Sequence, residues 1–282
     1  MIKLQNVTKR YRNSIAVDDI SLSLDENKIF CLLGCNGAGK TTLMKMIAGQ
    51  INSDSGNIEV NGKFVNAAKM PCDVSFINNR AKQFNTKLKN LVNMAGDLDE
   101  RFDKEFAFRM IKRFHLNKDK KFNQLSFGMQ TMVNTLLSFA SNRSIVLLDE
   151  PLLGLDAVMR NTFYNLLRDS FEIKPRIIII STHLIDEMTR SAEELIIVDQ
   201  GKLLLRSTIN DVDEKAFSVS GTTKSIVPTL DNLNVLSSKT IGGHTTAYIF
   251  DDRYKIPSGT SVNPIGLQEF FINLVGGDYD EE

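Results

Sequence analysis

The chain has 282 residues, of which 42% are hydrophobic and 24% are charged. That length suits one large domain or two ordinary ones, and the composition supports a sizeable core and excludes a disordered chain. Lys+Arg and Asp+Glu both number 34, so the net charge is zero and no global basic field indicates nucleic acid as a partner.

Targeting segments and cysteines add two further restrictions. No apolar run approaches the roughly 18–20 residues that cross a bilayer, and the N-terminus lacks a signal-peptide core. We therefore expect a cytoplasmic protein or a peripheral subunit of a larger assembly. Cys31, Cys35 and Cys72 are odd in number and form no C-x-x-C pair, which favours reduced thiols over disulfides or a zinc site.

The N-terminal part of the chain alternates apolar runs with helical stretches, a pattern that predicts an α/β core over residues 1–210. Early strands are expected at 4–7 and 20–24. An apolar run at 28–33 then leads into a glycine-rich loop, and the pattern becomes helical between about residues 86 and 140.

Three later runs, each of four apolar residues, predict strands buried on both faces of a mostly parallel sheet. They lie at 145–148, 177–180 and 195–198. With the earlier strands they complete the predicted α/β core.

The pattern changes after Leu205. Short β-like runs separated by Gly-Gly, Asp-Asp and Pro-Ser-Gly breakers follow, and they lie at 216–220, 234–238 and 246–250. The segment 265–275 has the pattern of an amphipathic helix. We predict a small α+β accessory domain over residues 211–282.

The segment 34–42 fits the phosphate-binding P-loop pattern G-x-x-x-x-G-K-[ST]. Glycines let the backbone turn tightly, so that its N–H groups form a cradle for phosphates. Lys40 supplies a mobile charge for the β- and γ-phosphates, and the Thr41 hydroxyl can complete a Mg²⁺ shell. A strand before the loop and a helix after it disfavour a chance match. The predicted nucleotide contacts here are Asn36, Gly37, Ala38, Gly39, Lys40, Thr41 and Thr42.

The apolar run at 145–148 ends in two carboxylates, Asp149 and Glu150. Asp149 is where a second Mg²⁺ contact is needed, and Glu150 points differently and can polarise an attacking water. Taken alone, the pair could be solvated acids at a strand end. Downstream of a P-loop, we interpret it as part of a nucleotide hydrolysis site.

Three further motifs occur in a fixed order around this acidic strand. Leu-Ser-Phe-Gly-Met at 125–129 precedes it, Gly-Leu-Asp at 154–156 follows it, and Ser-Thr-His at 181–183 closes the next apolar run. With the P-loop, they resemble the nucleotide-binding subunit of an ABC transporter over about residues 1–205. The resemblance implies a P-loop NTPase fold of class α/β, with a mixed sheet core, an antiparallel β subdomain and a helical subdomain at about 80–140.

The resemblance also implies that two cassettes dimerise head to tail around two ATP molecules. Ser126 and the Gly128 N–H of one subunit would contact the ATP held by the other, and Asp156 would bind across the interface. Ser126 and Gly128 begin a predicted helix, where free N–H groups and the helix dipole favour phosphate. His183 would contact the γ-phosphate. Together with Glu150 and Lys40, it would form the catalytic set for ATP hydrolysis.

Two more contacts follow from the resemblance alone. Tyr11 matches the aromatic residue that stacks on adenine, and Val17 is carried over as a nucleotide contact. The metal set would be Thr41, Asp149 and a carboxamide.

The carboxamide departs from the family pattern, which has a glutamine after a strand. Phe-Ile-Asn-Asn at 76–79 aligns with that stretch and places Asn79 in the role, while a shift of one residue would place Asn78 there. Asn could still ligate Mg²⁺, directly or through a water. A third alternative is that neither residue touches the metal.

The signature motif also departs from the usual Leu-Ser-Gly-Gly-Gln, since Phe127 and Met129 replace Gly and Gln. Such variants resemble ATPases of ABC-2-type exporters, including YtrB-like ATPases and those that export amphipathic peptides such as phenol-soluble modulins. We therefore favour export of a peptide or another amphipathic compound over import. The resemblance leaves open whether two copies of the chain or two different cassettes pair.

A separate integral membrane permease is the expected partner, with this chain at the cytoplasmic face of the membrane. Candidates for the docking groove are Phe84, Leu88, Leu91 and Val92, and simple internal packing is the alternative for all four.

Two other function classes fit these motifs less well than transport does. An ABC ATPase acting on DNA or the ribosome would be expected to show two cassettes, a long coiled-coil insert or zinc-binding cysteines, none of which the sequence contains. A small-molecule kinase would need neither the signature serine nor the Ser-Thr-His motif. His115 and His244 have no motif context, and we interpret both as ordinary surface or packing residues.

Overall fold

The computed structural model of the protein describes residues 1–78, 84–188, 191–252 and 261–276. The chain divides into two compact units, the first made of Met1–Leu184 and Ser191–Leu205, the second of Ile185–Arg190 and Arg206–Glu282. Within the described ranges, no helix is long and apolar enough to span a membrane.

The first unit contains two sheets and several helices. Its strands are β1 (Ile2–Tyr11), β2 (Ser14–Leu24), β3 (Ile29–Leu33), β4 (Ser55–Val60), β5 (Lys63–Phe64), β6 (Val74–Asn78), β7 (Ile145–Asp149), β8 (Ile177–Ser181), β9 (Glu194–Asp199) and β10 (Lys202–Thr208). Its helices are α1 (Lys40–Ile47), α2 (Leu88–Leu98), α3 (Lys104–Arg113), α4 (Phe127–Ala140) and α5 (Ala157–Ile173), with a short 3-10 turn at Phe122–Gln124.

The smaller sheet is antiparallel, with strand order β2-β1-β4-β5. Ile2 of β1 lies opposite Leu24 on one side and Val60 on the other. All three are buried, because alternate residues of an antiparallel strand face the core. The two early strands predicted from sequence are present, and both are longer than the apolar runs that indicated them.

The larger sheet has strand order β10-β9-β3-β8-β7-β6. β3 pairs in parallel with β8 and β9, and β7 pairs in parallel with β6 and β8. Every residue of β3, β7 and β8 is buried. The prediction of fully buried parallel strands from uninterrupted apolar runs is therefore confirmed.

One hydrophobic core joins the two sheets of the first unit through α1. Leu43, Met44 and Ile47 of α1 belong to the same buried cluster as Ile2 of the antiparallel sheet and Phe30 of the parallel sheet. This packing holds the N-terminus of α1, and with it the loop that precedes the helix, in a fixed position at the end of β3.

Parallel pairing brings the carboxyl ends of three strands to one edge of the larger sheet. The glycine-rich loop follows β3, Asp149 ends β7 and Ser181 ends β8. The register places Asp149 directly beside Ser181 and beside Asn78 at the end of β6. In open α/β sheets, this edge is where ligands bind.

The prediction of a docking groove is wrong for three of its four residues, because the structure favours the internal-packing alternative for them. Leu88, Leu91 and Val92 of α2 are buried and so do not form an open surface. Phe84 is 43% exposed, and its ring packs edge-on against Phe122, with ring centroids 5.8 Å apart.

The second unit is a small α+β structure. Its helices are α6 (Ile185–Met188), α7 (Ile209–Lys215), α8 (Thr223–Leu230) and α9 (Leu267–Gly276). Its strands are β11 (Ala216–Thr222), β12 (Val235–Ile241), β13 (His244–Phe250) and β14 (Ser261–Pro264), in an antiparallel sheet of order β12-β13-β11-β14. Phe217, Val219, Ile226, Ala247 and Ile249 form its core. The three β-like runs and the terminal helix predicted from sequence correspond to β11, β12, β13 and α9.

Candidate functional site

A cavity of about 220 Å³ lies over the loop between β3 and α1. It is lined by Ala16, Cys35, Asn36, Gly37, Ala38, Gly39, Lys40, Thr41, Thr42, Asp149 and Glu150. The structure thus brings together the seven P-loop residues predicted from sequence with both predicted acids, and it adds Ala16 and Cys35.

Two glycines have no room for a side chain in this loop. A Cβ added at Gly34 would lie 2.3 Å from the Val198 carbonyl oxygen, and one at Gly39 would lie 2.1 Å from the Ala16 carbonyl oxygen. Gly39 also has φ of 101°, in the left-handed region that L-residues disfavour. The close backbone approach of the loop to its neighbours therefore requires glycine at both positions.

Lys40 begins α1 and is buried. Its Nζ donates to the carbonyl oxygens of Gly34 at 2.5 Å and Cys35 at 3.1 Å. Among the residues that the structure describes, no carboxylate pairs with it. Its described hydrogen-bond partners are carbonyl oxygens, which leaves the amine able to pair with an anionic ligand.

Burial, followed by the nearby negative charge of Glu150, raises the pKa of the Cys31 thiol. Cys31 lies inside β3, whereas Cys35 and Cys72 are exposed. All three cysteines are free, as expected from their number and spacing.

The Thr41 hydroxyl and Asp149 are joined directly. Thr41 Oγ1 donates to Asp149 Oδ2 at 2.8 Å, and Ser181 Oγ donates to Asp149 Oδ1 at 2.7 Å. Asp149 is buried, and these two hydroxyls supply one donor to each of its oxygens. A buried carboxylate needs such partners.

Glu150 follows directly and turns away from the strand. Its φ is 52°, a left-handed conformation that is uncommon for a residue with a side chain. Its N–H donates to Ser181 O at 3.1 Å and to Ser181 Oγ at 3.0 Å. Its Oε2 lies 2.8 Å from Nδ1 of His183, so the structure brings the predicted base and the predicted γ-phosphate ligand into contact.

The signature motif lies at the N-terminus of α4. Ser126 is the N-cap, and its hydroxyl accepts from the Met129 N–H at 3.3 Å. Gly128 is buried, and a Cβ there would lie 2.8 Å from the Gly154 carbonyl oxygen. The Phe127 ring covers Gly154, since a Cβ at Gly154 would lie 2.4 Å from Phe127 Cδ1. The start of α4 therefore packs on the loop that follows Glu150.

The remaining predicted contacts occupy separate positions. Asp156 is the N-cap of α5 and accepts from the Met159 N–H at 2.8 Å. Tyr11 at the end of β1 is 45% exposed. Val17 is buried, with Cγ2 at 3.6 Å from a Cβ added at Gly39. Of the predicted nucleotide contacts, the described lining of the cavity lacks Tyr11, Val17, Ser126, Gly128 and Asp156.

The carboxamide prediction is only partly covered by the structure. Asn79 lies outside the described residues. Asn78, the alternative, ends β6 and is the register partner of Asp149. The side chain of Asn78 is half-buried.

The donor set at the Thr41 and Asp149 oxygens fits Mg²⁺. No group of three or more His, Cys, Asp or Glu residues that could hold a metal occurs in the described part of the chain. Mg²⁺ does not need one, because it is commonly held by one or two protein oxygens together with substrate phosphates and waters. Two adjacent protein oxygens beside a phosphate-sized cradle match that pattern.

Ser181 is a further residue of this site whose role the sequence does not predict. It belongs to the Ser-Thr-His motif, and it contacts both acids. The register of β7 against β8, which pairs Ser181 with Asp149, shows this contact.

The fold and the site define the class of protein. A buried parallel strand, a glycine-rich loop around a cavity, a helix that starts with Lys-Thr and an acid at the end of the neighbouring strand are the parts of a P-loop NTPase.

Comparison with known proteins identifies the family within that class. A family model described as ABC transporter matches residues 17–153. The uncharacterized ABC transporter ATP-binding protein MJ1023 of Methanocaldococcus jannaschii is 36% identical over 218 residues, which cover 76% of this chain and 80% of that protein. The ABC transporter ATP-binding protein YtrB of Bacillus subtilis is 26% identical over 294 residues, covering 98% and 99%. The chain belongs to the ATP-binding subunits of ABC transporters, a family that hydrolyses ATP.

One further relative has a name that states a direction of transport. The taurine import ATP-binding protein TauB of Escherichia coli is 29% identical over 217 residues, which cover 74% of this chain and 85% of that protein.

Solved structures agree on the fold. The structure of an ATP-binding subunit of an ABC transporter superimposes with a TM-score of 0.68 at 21% identity, covering 75% of this chain and 91% of that one. The dimeric post-hydrolysis state of the cassette MJ0796, bound to ADP and Pi, gives 0.63 at 23% identity, covering 74% and 98%.

Proposed function

We propose that this chain binds ATP in the P-loop cavity and hydrolyses it there to drive export through a separate membrane permease. One observation carries the proposal. At one edge of the parallel sheet, a chain of contacts runs beside the cavity from the Thr41 hydroxyl through Asp149, Ser181 and Glu150 to His183, each link between 2.7 and 3.1 Å.

Binding is assigned to the loop and to α1. The N–H groups of the loop and the N-terminus of α1 favour the phosphates, and Lys40 adds its charge. Thr41 and Asp149 would hold Mg²⁺, which supplies charge neutralisation for the phosphates. Asn79 is proposed as a further metal contact on the strength of the family resemblance alone.

Hydrolysis is assigned to Glu150, with His183 beside it. Glu150 lies at the rim of the cavity, where its carboxylate can accept a proton from an attacking water. The contact at 2.8 Å with His183 orients the carboxylate. When ATP is bound, the imidazole is proposed to turn to the γ-phosphate.

A second cassette is proposed to complete the site. Ser126 and Gly128 do not belong to the described lining of the chain's own cavity, which is what a role toward a partner's ATP requires. The MJ0796 cassette of similar fold is dimeric in its solved structure. Asp156 and Tyr11 keep their proposed roles at the dimer interface and on adenine.

Export is favoured over import by the Phe127 and Met129 variant of the signature, which resembles that of ABC-2-type exporters. The likeness to the taurine importer TauB keeps import as the alternative. The proposed cargo is a peptide or another amphipathic compound, and the proposed location is the cytoplasmic face of the membrane, beside the permease.

The first experiment replaces the base. We expect Glu150→Gln to keep ATP affinity, to abolish turnover and to accumulate an ATP-bound dimer, measured by phosphate release and by gel filtration with ATP and Mg²⁺. Glu105→Gln, which changes an acid whose side chain is 91% exposed on α3, is the control and should behave as wild type. An active Glu150→Gln protein would refute the assignment of the base.

The second experiment addresses transport. Co-expression with a candidate permease should bring the protein to the membrane fraction. Inside-out vesicles should then take up an amphipathic peptide when ATP is added. Uptake by right-side-out vesicles with internal ATP would instead establish import.

A further inference from the structure

Ser181 ends β8 at the point where the two acids of the neighbouring strand lie. Its relative exposure is 0%, and it is the register partner of Asp149. It follows four consecutive isoleucines, Ile177–Ile180. The hydroxyl therefore follows an apolar run on its own strand and contacts the Asp149 carboxylate and the Glu150 N–H.

The Ser181 hydroxyl uses both of its hydrogen-bonding capacities on the two acids. It donates its one proton to Asp149 Oδ1 at 2.7 Å, and its oxygen accepts from the Glu150 N–H at 3.0 Å. The Ser181 carbonyl oxygen accepts from the same N–H at 3.1 Å. One residue therefore contacts the side chain of one acid and the backbone of the other.

These bonds determine which oxygen of Asp149 is presented to the cavity. Oδ1 is held by Ser181, and Oδ2 lies 2.8 Å from the Thr41 hydroxyl. If Oδ1 were released, the carboxylate could rotate, because the terminal torsion of Asp is broad. Ser181 thus holds Oδ2 beside Thr41, where the two oxygens can serve one cation.

The same residue stabilises an unfavourable backbone conformation. Glu150 has φ of 52°, and residues with side chains occupy this region only when the surroundings hold them there. The N–H of Glu150 is held by two oxygen atoms of Ser181. This anchor directs the Glu150 side chain toward His183.

We propose that Ser181 is a positioning residue for the ATPase site, a role that rests on the proposed function. It orients Asp149 for metal binding and holds the backbone of Glu150 for proton abstraction. Substitution of a residue that orients a metal ligand typically weakens metal affinity by about 10- to 100-fold.

The test measures metal affinity separately from folding and turnover. A fluorescent ATP analogue is titrated into the purified full chain in EDTA and again at increasing Mn²⁺. We expect Ser181→Ala to bind the analogue as wild type does in EDTA. In the titration, its half-saturating Mn²⁺ concentration should rise by about 10- to 100-fold.

Ser138→Ala is the matched control. Ser138 is also a buried serine, and its hydroxyl is hydrogen-bonded to Ser75 Oγ at 2.6 Å, away from the acids. Loss of a buried hydrogen bond should lower the thermal unfolding midpoint of both variants. Only Ser181→Ala should change the Mn²⁺ dependence.

A second pair of variants serves if Ser181→Ala does not fold. Ser181→Thr and Ser181→Val have nearly equal volume and differ in the hydroxyl alone. We expect the Thr variant to keep the wild-type Mn²⁺ dependence and the Val variant to lose it.

The outcomes separate two failures. A wild-type Mn²⁺ half-saturation in Ser181→Ala or Ser181→Val would overturn the positioning role alone. A wild-type chain whose nucleotide binding ignores Mn²⁺ would overturn the proposed function and this role with it.

Discussion

The two halves of the nucleotide site are built in different ways. The phosphate-binding half is one continuous segment, 34–42, shaped by glycines that approach the Ala16 and Val198 carbonyl oxygens. The hydrolytic half consists of side chains from the ends of β7 and β8, brought together by strand register. The first half is local backbone geometry, and the second half depends on the long-range pairing of the sheet.

That difference predicts different responses to substitution. In the phosphate-binding half, a substitution that adds a Cβ should be the most damaging, because the function depends on the close approach of the backbone. In the hydrolytic half, a substitution that removes a polar side-chain atom should be the most damaging.

Gly39→Ala should have the largest effect. The added Cβ would lie 2.1 Å from the Ala16 carbonyl oxygen, so the loop must shift, and nucleotide binding should become undetectable by titration with a fluorescent ATP analogue. Gly37→Ala is the control. Gly37 also has positive φ, 89°, but no atom lies within 4 Å of an added Cβ, so its cost should be limited to about 1–2 kcal/mol of backbone conformation. Equal losses in the two variants would contradict the steric explanation.

Lys40→Ala should have the second-largest effect. Loss of a charged hydrogen-bond donor to phosphate should weaken ATP binding by roughly 1.5–3 kcal/mol, measured by the same titration. Lys45→Ala, in the last turn of the same helix, should leave the affinity unchanged. Wild-type affinity in Lys40→Ala would show that the backbone alone binds the phosphates.

Tyr11→Ala tests a contact outside the described cavity lining. If the half-exposed ring stacks on adenine, its loss should weaken ATP binding by roughly 1–3 kcal/mol, while Tyr11→Phe should retain the affinity. A useful comparison is inorganic triphosphate, whose binding the Tyr11→Ala variant should leave unaltered. An equal loss for both ligands would place the effect on folding instead.

Asp156→Ala should have the smallest effect on the isolated chain. The N-cap hydrogen bond to Met159 is lost, which should lower the free energy of unfolding by about 1 kcal/mol. Asp103→Ala is matched, because Asp103 caps α3 through the Phe106 N–H at 2.7 Å. Denaturant unfolding should show similar losses. Only Asp156→Ala should reduce ATP-dependent dimerisation of a Glu150→Gln background, and equal dimerisation would confine Asp156 to capping.

The same division between local geometry and long-range pairing decides which features could be predicted from the sequence. The P-loop could be predicted from sequence because its pattern depends on residues that are adjacent in the chain, and the structure places its seven predicted residues around one cavity. The buried strands were predicted because a parallel strand covered on both faces needs an uninterrupted apolar run, such as 177–180. The family resemblance, and with it the fold class, is confirmed.

The features that could not be predicted from the sequence depend on tertiary packing. Leu88, Leu91 and Val92 have the same apolar character whether they form an open groove or an interior, so composition could not separate the two. The role of Ser181 needed the register of β7 against β8, and a serine after four isoleucines gives no local signal for it. The contact of Phe127 with Gly154 joins segments that are distant in sequence.

That last contact has a practical consequence. The chain contains no tryptophan, and the half-exposed ring of Phe127 rests on Gly154, four residues after Glu150. Phe127→Trp would therefore place a single indole, without emission from any other tryptophan, against the loop that carries Glu150, the proposed base. Its fluorescence would report each rearrangement of that loop in real time.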